Sequence, residues 1–155
     1  MICPYCQSPQ TFVTNSRATA NGFKTWRRHH CRHCDQVFTT HEQIDMSHLL
    51  VVKRTGKKER FSRTKLYSGI LWSSVGVHLE NREKIIDKIT SKIEQQIFAL
   101  HQKSIPTDQI ATIVLTHLWK THAALFLRFL SYRTGLSTSK QFLAELKKYQ
   151  SKISP

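Results

Sequence analysis

Four cysteines set the strongest limit on what this chain can fold into, because they come as two matched pairs, Cys3-x2-Cys6 and Cys31-x2-Cys34, with 24 residues between them. Each Cys-x2-Cys suits a tight turn that aims two thiolates at one point, and two such turns build a tetrahedral site fit for structural zinc. Disulfides and a redox dithiol are the competing uses. Disulfides need an oxidising compartment, and the chain opens without the basic-then-apolar pattern of a secretory signal. A dithiol accounts for one pair and leaves the second, at matching spacing, without a role. Iron–sulfur ligation stays open on spacing alone. His29, His30 and His33 crowd the second pair, but four thiolates already complete a structural site. A segment of about 45 residues buries too little apolar surface to fold unaided, so metal is expected to decide its folding.

Charge narrows the partner. The 155 residues hold 24 Lys and Arg against 10 Asp and Glu, a formal charge of +14, which favours a polyanion. Hydrophobic residues make up 39%, enough for a core. No apolar run approaches the roughly 20 residues of a membrane span, so a cytoplasmic protein without a membrane partner is expected. Positive charge is densest over 53–65, where seven basic residues surround one acid, Glu59. Such runs are more often a solvated face than a site. This one is bracketed by Val51, Val52 and Phe61, which place it on a structured element.

Local patterns give a coarse map. Phe12–Thr14, then Phe23–Arg28 after an Asn21-Gly22 turn, then Gln36–Thr40 read as three short strands between and after the cysteine turns. Alternation in the second strand sets Lys24, Trp26 and Arg28 on one face and Arg27 on the other. A linker runs from about Gln43 to His48. Leu49–Arg54 and Lys57–Phe61 form a second hairpin about Thr55-Gly56. Ser62 and Asn81 are N-cap candidates for two helices, the second with Ile85, Ile89, Ile93 and Ile97 as its apolar stripe. Pro106-Thr107 opens a third helix, a further one carries Phe126 and Phe129, and Lys140–Gln150 forms a last amphipathic helix. The expected class is α+β: a small β zinc ribbon, then a mostly helical region with a β-hairpin.

Several stretches carry a family resemblance. Met1-Ile2-Cys3-Pro4-Tyr5-Cys6, Asn15-Ser16-Arg17, Arg27-Arg28, Cys31-x2-Cys34 and Phe38-Thr39-Thr40-x-Glu42 are similar to the N-terminal zinc ribbon of bacterial NrdR proteins, transcriptional repressors of ribonucleotide reductase genes. Val51-Val52-Lys53-Arg54-x-Gly56-x-x-Glu59-x-Phe61-x-x-x-Lys65-Leu66 resembles the opening of an ATP-cone, and Arg128-Phe129 with Ser131 fits that family's late helix. The resemblance implies a zinc-ribbon DNA-binding domain over 1–46, an ATP-cone over 47–139 and a helical extension over 140–155. It further implies a bacterial repressor, working at the nucleoid, whose homo-oligomers grip paired operator boxes under control of ATP and dATP. Asn15, Trp26, His29, His41 and Phe126 depart from the family pattern, which has Asp, Arg, Arg, an aromatic and Tyr there.

The residues themselves suggest how such a protein works. Arg17, Lys24, Arg27 and Arg28 are the candidate DNA contacts. With so few basic contacts per ribbon, several ribbons must share one duplex. Lys53 and Arg54, brought near Lys57 and Lys58 across the hairpin turn, and Lys65, with the free N–H groups of a helix start, make a triphosphate cradle without a Walker A loop. Val51, Val52 and Phe61 pack the hairpin or flank the base, Gly56 makes the turn, and Glu59 can accept from a ribose or base donor. Zn2+ is the expected cofactor and ATP and dATP the ligands, with Mg2+ an optional companion of the triphosphate. No nucleophile–base spacing points to an enzyme. The alternative reading is a zinc-ribbon RNA-binding protein associated with the ribosome.

Overall fold

A computed structural model describes residues 1–18, 22–134 and 138–150. It divides into one unit over Met1–Asp45 and a second beginning at Met46. In the first unit, β1 (Thr11–Ala18), β2 (Lys24–Cys31) and β3 (Val37–Gln43) form an antiparallel meander in the order β1-β2-β3. The strands run longer than local pattern suggests, because each borrows its ladder from a neighbour. Gly22 sits at φ +68°, as a hairpin turn asks of a glycine, while Asn21 of the expected turn lies outside the described residues. Between Val13 and Asn15 the register slips by one residue, a β-bulge at Thr14 whose hydroxyl donates to the Arg28 carbonyl oxygen at 3.1 Å.

In the second unit, β4 (Leu50–Val52) and β5 (Lys58–Arg60) make the expected hairpin, with Gly56 at φ +82° in its turn. A third strand, β6 (Ser104–Pro106), lies parallel to β4 and gives the order β5-β4-β6. Among the described residues, five helices follow the hairpin: α1 (Arg63–Ser73), α2 (Arg82–Phe98), α3 (Thr107–Thr121), α4 (Ala123–Thr134) and α5 (Ser139–Gln150). Ser62 caps α1, its side chain accepting from the Lys65 amide at 3.4 Å. Asn81 stands at the N-cap of α2 but in a left-handed conformation, φ 51°, and its side chain makes no capping bond. The stripe of α2 is Ile86, Ile89, Ile93 and Ile97, with Ile85 only partly buried, because positions i, i+3 and i+4 share a helix face. These side chains join Ile70, Ile105, Val114, Leu118, Phe126 and Leu130 in one core, at about 1.5–3 kcal/mol for each large side chain removed from water. No described helix is long and apolar enough to cross a membrane.

Candidate functional site

The two Cys-x2-Cys turns are near copies of each other. Gln7 donates to the Cys3 carbonyl oxygen at 2.9 Å and Asp35 to that of Cys31 at 3.0 Å, while Cys3 and Cys31 donate to Ser8 and Gln36 at 2.9 and 3.0 Å. Both turns close through a left-handed residue, Gln7 at φ 58° and Asp35 at φ 62°. The result brings all four sulfur atoms within 4.8 Å of one another, with Cys3 and Cys31 buried. Cys3 and Cys34 are 3.7 Å apart through their sulfurs and Cys6 and Cys31 3.6 Å, too far for a disulfide. A tetrahedron with metal–sulfur bonds of about 2.3 Å has edges of about 3.8 Å, so the donor set fits a single ion.

The electrostatics point the same way. A backbone hydrogen bond from Cys34 pulls the Cys31 thiol down to about 6, helped by the His33 amide and the Cys6 thiol against the effect of burial. A backbone bond from Gln36 lowers Cys34, but burial and the thiols of Cys6, Cys3 and Cys31 outweigh it and push Cys34 up to about 12. Four thiols packed this closely cannot all ionise without a cation among them. Two of the three nearby histidines are occupied otherwise. His29 stacks on Phe38 and bonds to Thr40 at 2.8 Å, and His30 pairs with Asp35 at 2.9 Å.

Register decides which basic residues share a face of the ribbon sheet. Partners directly opposite in an antiparallel pair project to the same side. Arg28 stands opposite Asn15 and Thr39, and Trp26 opposite Arg17 and His41, so Arg17, Lys24, Trp26 and Arg28 occupy one face. The Thr14 bulge is the cause: an unbroken ladder would set Arg17 against Thr25, on the other face. Arg27 lies on that other face and pairs with Glu42 at 3.0 Å.

In the second unit a cleft opens between the β4–β5 hairpin and the starts of α1 and α3. Val51, Phe61, Leu66, Ile110, Val114 and Phe129 give it an apolar floor, and Lys53, Lys65 and Arg133 give it three cations against one acid, Glu59. Glu59 bridges Lys53 at 2.8 Å and Lys65 at 3.0 Å, and these bonds, Lys53 first, hold its carboxyl below the ordinary glutamate value. Burial lowers the pKa of the Arg133 guanidinium, with Asp108 opposing; Asp108 also binds Arg54 at 3.0 Å. Ser62 and Thr107 line the cleft beside the free N–H groups of two helix starts. Of the residues expected here, Val51, Lys53, Glu59, Phe61 and Lys65 meet in the cleft. Val52, Arg54, Gly56, Lys57 and Lys58 do not line it: the Val52 carbonyl oxygen accepts from the Thr107 hydroxyl at 3.0 Å, Arg54 is engaged with Asp108, Gly56 forms the hairpin turn, and Lys57 and Lys58 are exposed beyond it.

Both units match known families. Residues 1–42 match the family described as the N-terminal domain of transcriptional repressor NrdR-like proteins, and residues 49–134 match the ATP cone domain. A transcriptional repressor NrdR of Streptococcus suis is 34% identical over 158 residues, covering 100% of this chain and 96% of that protein. This chain belongs to the NrdR family. The NrdR of Carboxydothermus hydrogenoformans is 32% identical over 154 residues, covering 96% and 95% of the two chains. That of Kosmotoga olearia is 34% identical over 131 residues, 84% and 82%. The name these NrdR relatives bear describes a non-enzymatic role.

Two features of this NrdR-family chain escape sequence reasoning. Ser104-Ile105-Pro106 is too short to announce a strand, yet as β6 it brings Thr107 and α3 to the cleft. Arg133 is one of two cations on the largely apolar α4, and no local signal sets it apart from Arg128. The departures from the family pattern also separate. Asn15, Trp26 and His41 lie on the face of Arg17 and Arg28, whereas His29 is buried. Phe126 is fully buried between Trp119 and Tyr149 and takes no part in the cleft.

Proposed function

We propose that this chain is a zinc-dependent repressor of ribonucleotide reductase genes, in which residues 1–46 grip operator DNA and residues 47–139 bind ATP or dATP, with 140–155 as a helical extension. The observation that carries the nucleotide half is the cleft: an apolar floor for a base, three cations at its lining and two helix starts for phosphate. Lys53 and Lys65 are held ready by Glu59, so a triphosphate meets positioned charges and not mobile side chains. Mg2+ would arrive with the triphosphate.

Cys3, Cys6, Cys31 and Cys34 would hold Zn2+, which supplies a folding anchor and no chemistry of reaction. On the sheet above it, Arg17, Lys24 and Arg28 face the duplex, while Arg27 orders the opposite face through Glu42. Arg28 and Arg17 supply base-edge or phosphate contacts; a bidentate arginine–guanine pair is worth about 1–3 kcal/mol of discrimination. Three such contacts leave a single ribbon weak, and homo-oligomers that seat several ribbons on one stretch of cytoplasmic DNA supply the rest. ATP and dATP set the assembly by binding its alternative forms with unequal affinity, which is the only way a ligand shifts an equilibrium.

Calorimetric titration of Lys65→Ala with ATP and dATP tests the cleft. A loss of about tenfold in affinity is expected, in line with about 1.4 kcal/mol for one charge-assisted contact, at unchanged zinc content. Unaltered affinity for both nucleotides would remove Lys65, and with it this cleft, from the reading.

A further inference from the structure

Away from the cleft, the end of α1 carries a surface that the other described residues leave open. Trp72 is 68% exposed and Tyr132 75%, high values for rings that usually repay burial. A groove lies on either side of the Trp72 ring, one lined by Ser73, Arg128, Ser131 and Tyr132, the other by Leu71, Val75, Leu79, Arg82 and Glu83. Arg128 joins the two, since its guanidinium donates to the Val75 carbonyl oxygen and lies against Gly76.

The charges at the rim are as informative as the ring. Most acids elsewhere in this basic chain are engaged with cations: Glu42 with Arg27, Glu59 with two lysines, Asp87 and Glu94 with Arg63, Asp108 with two arginines, Glu145 with Lys148. Among the described residues, Glu80 and Glu83 have no such partner, and neither does Arg82 beside them. Of these, Arg82 and Glu83, one charge of each sign, line the second groove.

We propose that this face docks a second copy of the chain about a two-fold axis, each Trp72 seated in a groove of the other copy and each Arg82 paired with the other copy's Glu83. The proposal deepens the nucleotide-set assembly proposed above and rests on it. A two-fold contact needs a self-complementary patch, and a projecting ring beside an open groove, with an adjacent cation and anion, is one. Two chains of charge +14 repel, so contact between them requires a place where charge is locally balanced. A tryptophan at the centre is the side chain that most often dominates such an interface.

Sedimentation of the zinc-loaded full chain, with ATP and with dATP, reads the mass directly. Trp72→Ala is expected to raise the dissociation constant of the assembly about tenfold or more, the effect of losing one central anchor. Arg82→Glu and Glu83→Arg should each weaken it, and the double exchange R82E/E83R should recover it, at unchanged zinc content in every variant. If wild type assembles and all four variants assemble just as well, this face is not the contact and the proposal falls alone. If wild type stays monomeric with either nucleotide, the assembly reading falls and takes the face with it.

Discussion

At the scale of single residues, neighbouring side chains of like chemistry have been given unlike tasks by their surroundings. Arg27 and Arg28 differ only in the side of β2 they leave, yet Arg27 is tied to Glu42 and Arg28 is exposed opposite Asn15. Arg28→Ala is therefore expected to weaken promoter binding and to flatten its salt dependence by about one counterion, the signature of a lost phosphate contact. Arg27→Ala should leave that slope in place; anisotropy titrations over a salt series check both, and equal slopes for the two variants would put the duplex on the wrong face. Glu59 makes a prediction in pH. Its folded pKa lies below the ordinary 4.5 because Lys53 and Lys65 bond to the carboxylate. Its contribution to stability is then full above pH 4.5 and disappears as pH falls through the lowered folded value. Urea midpoints of Glu59→Gln should lie below wild type at neutral pH and converge with it in acid; a constant gap would mean that the bridge is not what Glu59 contributes.

At the scale of elements, what could be read from sequence was what the chain decides locally. The cysteine turns, the Thr55-Gly56 hairpin, the Ser62 cap and the 3.6-residue stripe of α2 each need only a few neighbouring residues, and each is present. The features that could not be read are made by partners far along the chain. Strand β6 exists because Ile105 pairs with Val51, and the Arg133–Asp108 bond spans 25 positions. The Thr14 bulge is a property of the β1–β2 ladder and not of Thr14, yet it chooses the face that Arg17 occupies. Asn81 shows the converse, a good capping residue whose left-handed backbone turns its side chain to no use as a cap. Helix α1 carries one choice that packing does not explain. Gly69 sits in its interior and lines the cleft, where an added methyl would meet only Phe129 at an ordinary 3.9 Å. Gly69→Ala should stabilise the second unit by about 1 kcal/mol through helix propensity while narrowing the cleft. A raised Tm with weakened ATP binding is the expected pair of results, and a raised Tm with unchanged binding would show that the ligand does not reach that end.

At the scale of the whole molecule, two units with separate stabilising principles meet in sequence between Asp45 and Met46. The first has thiols in place of a large apolar core, and its folding is expected to depend on metal; the second has the core and holds the cleft. Neither makes a regulator alone: a ribbon with three basic contacts grips DNA weakly, and a nucleotide cleft without DNA contacts controls nothing. Regulation by this chain therefore requires coupling between nucleotide identity, assembly and DNA affinity. Sedimentation of a labelled promoter fragment with the zinc-loaded protein, once with ATP and once with dATP, reads all three together. Different complex masses and different DNA occupancy under the two nucleotides are predicted, whereas one mass and one occupancy under both would contradict the account at its centre.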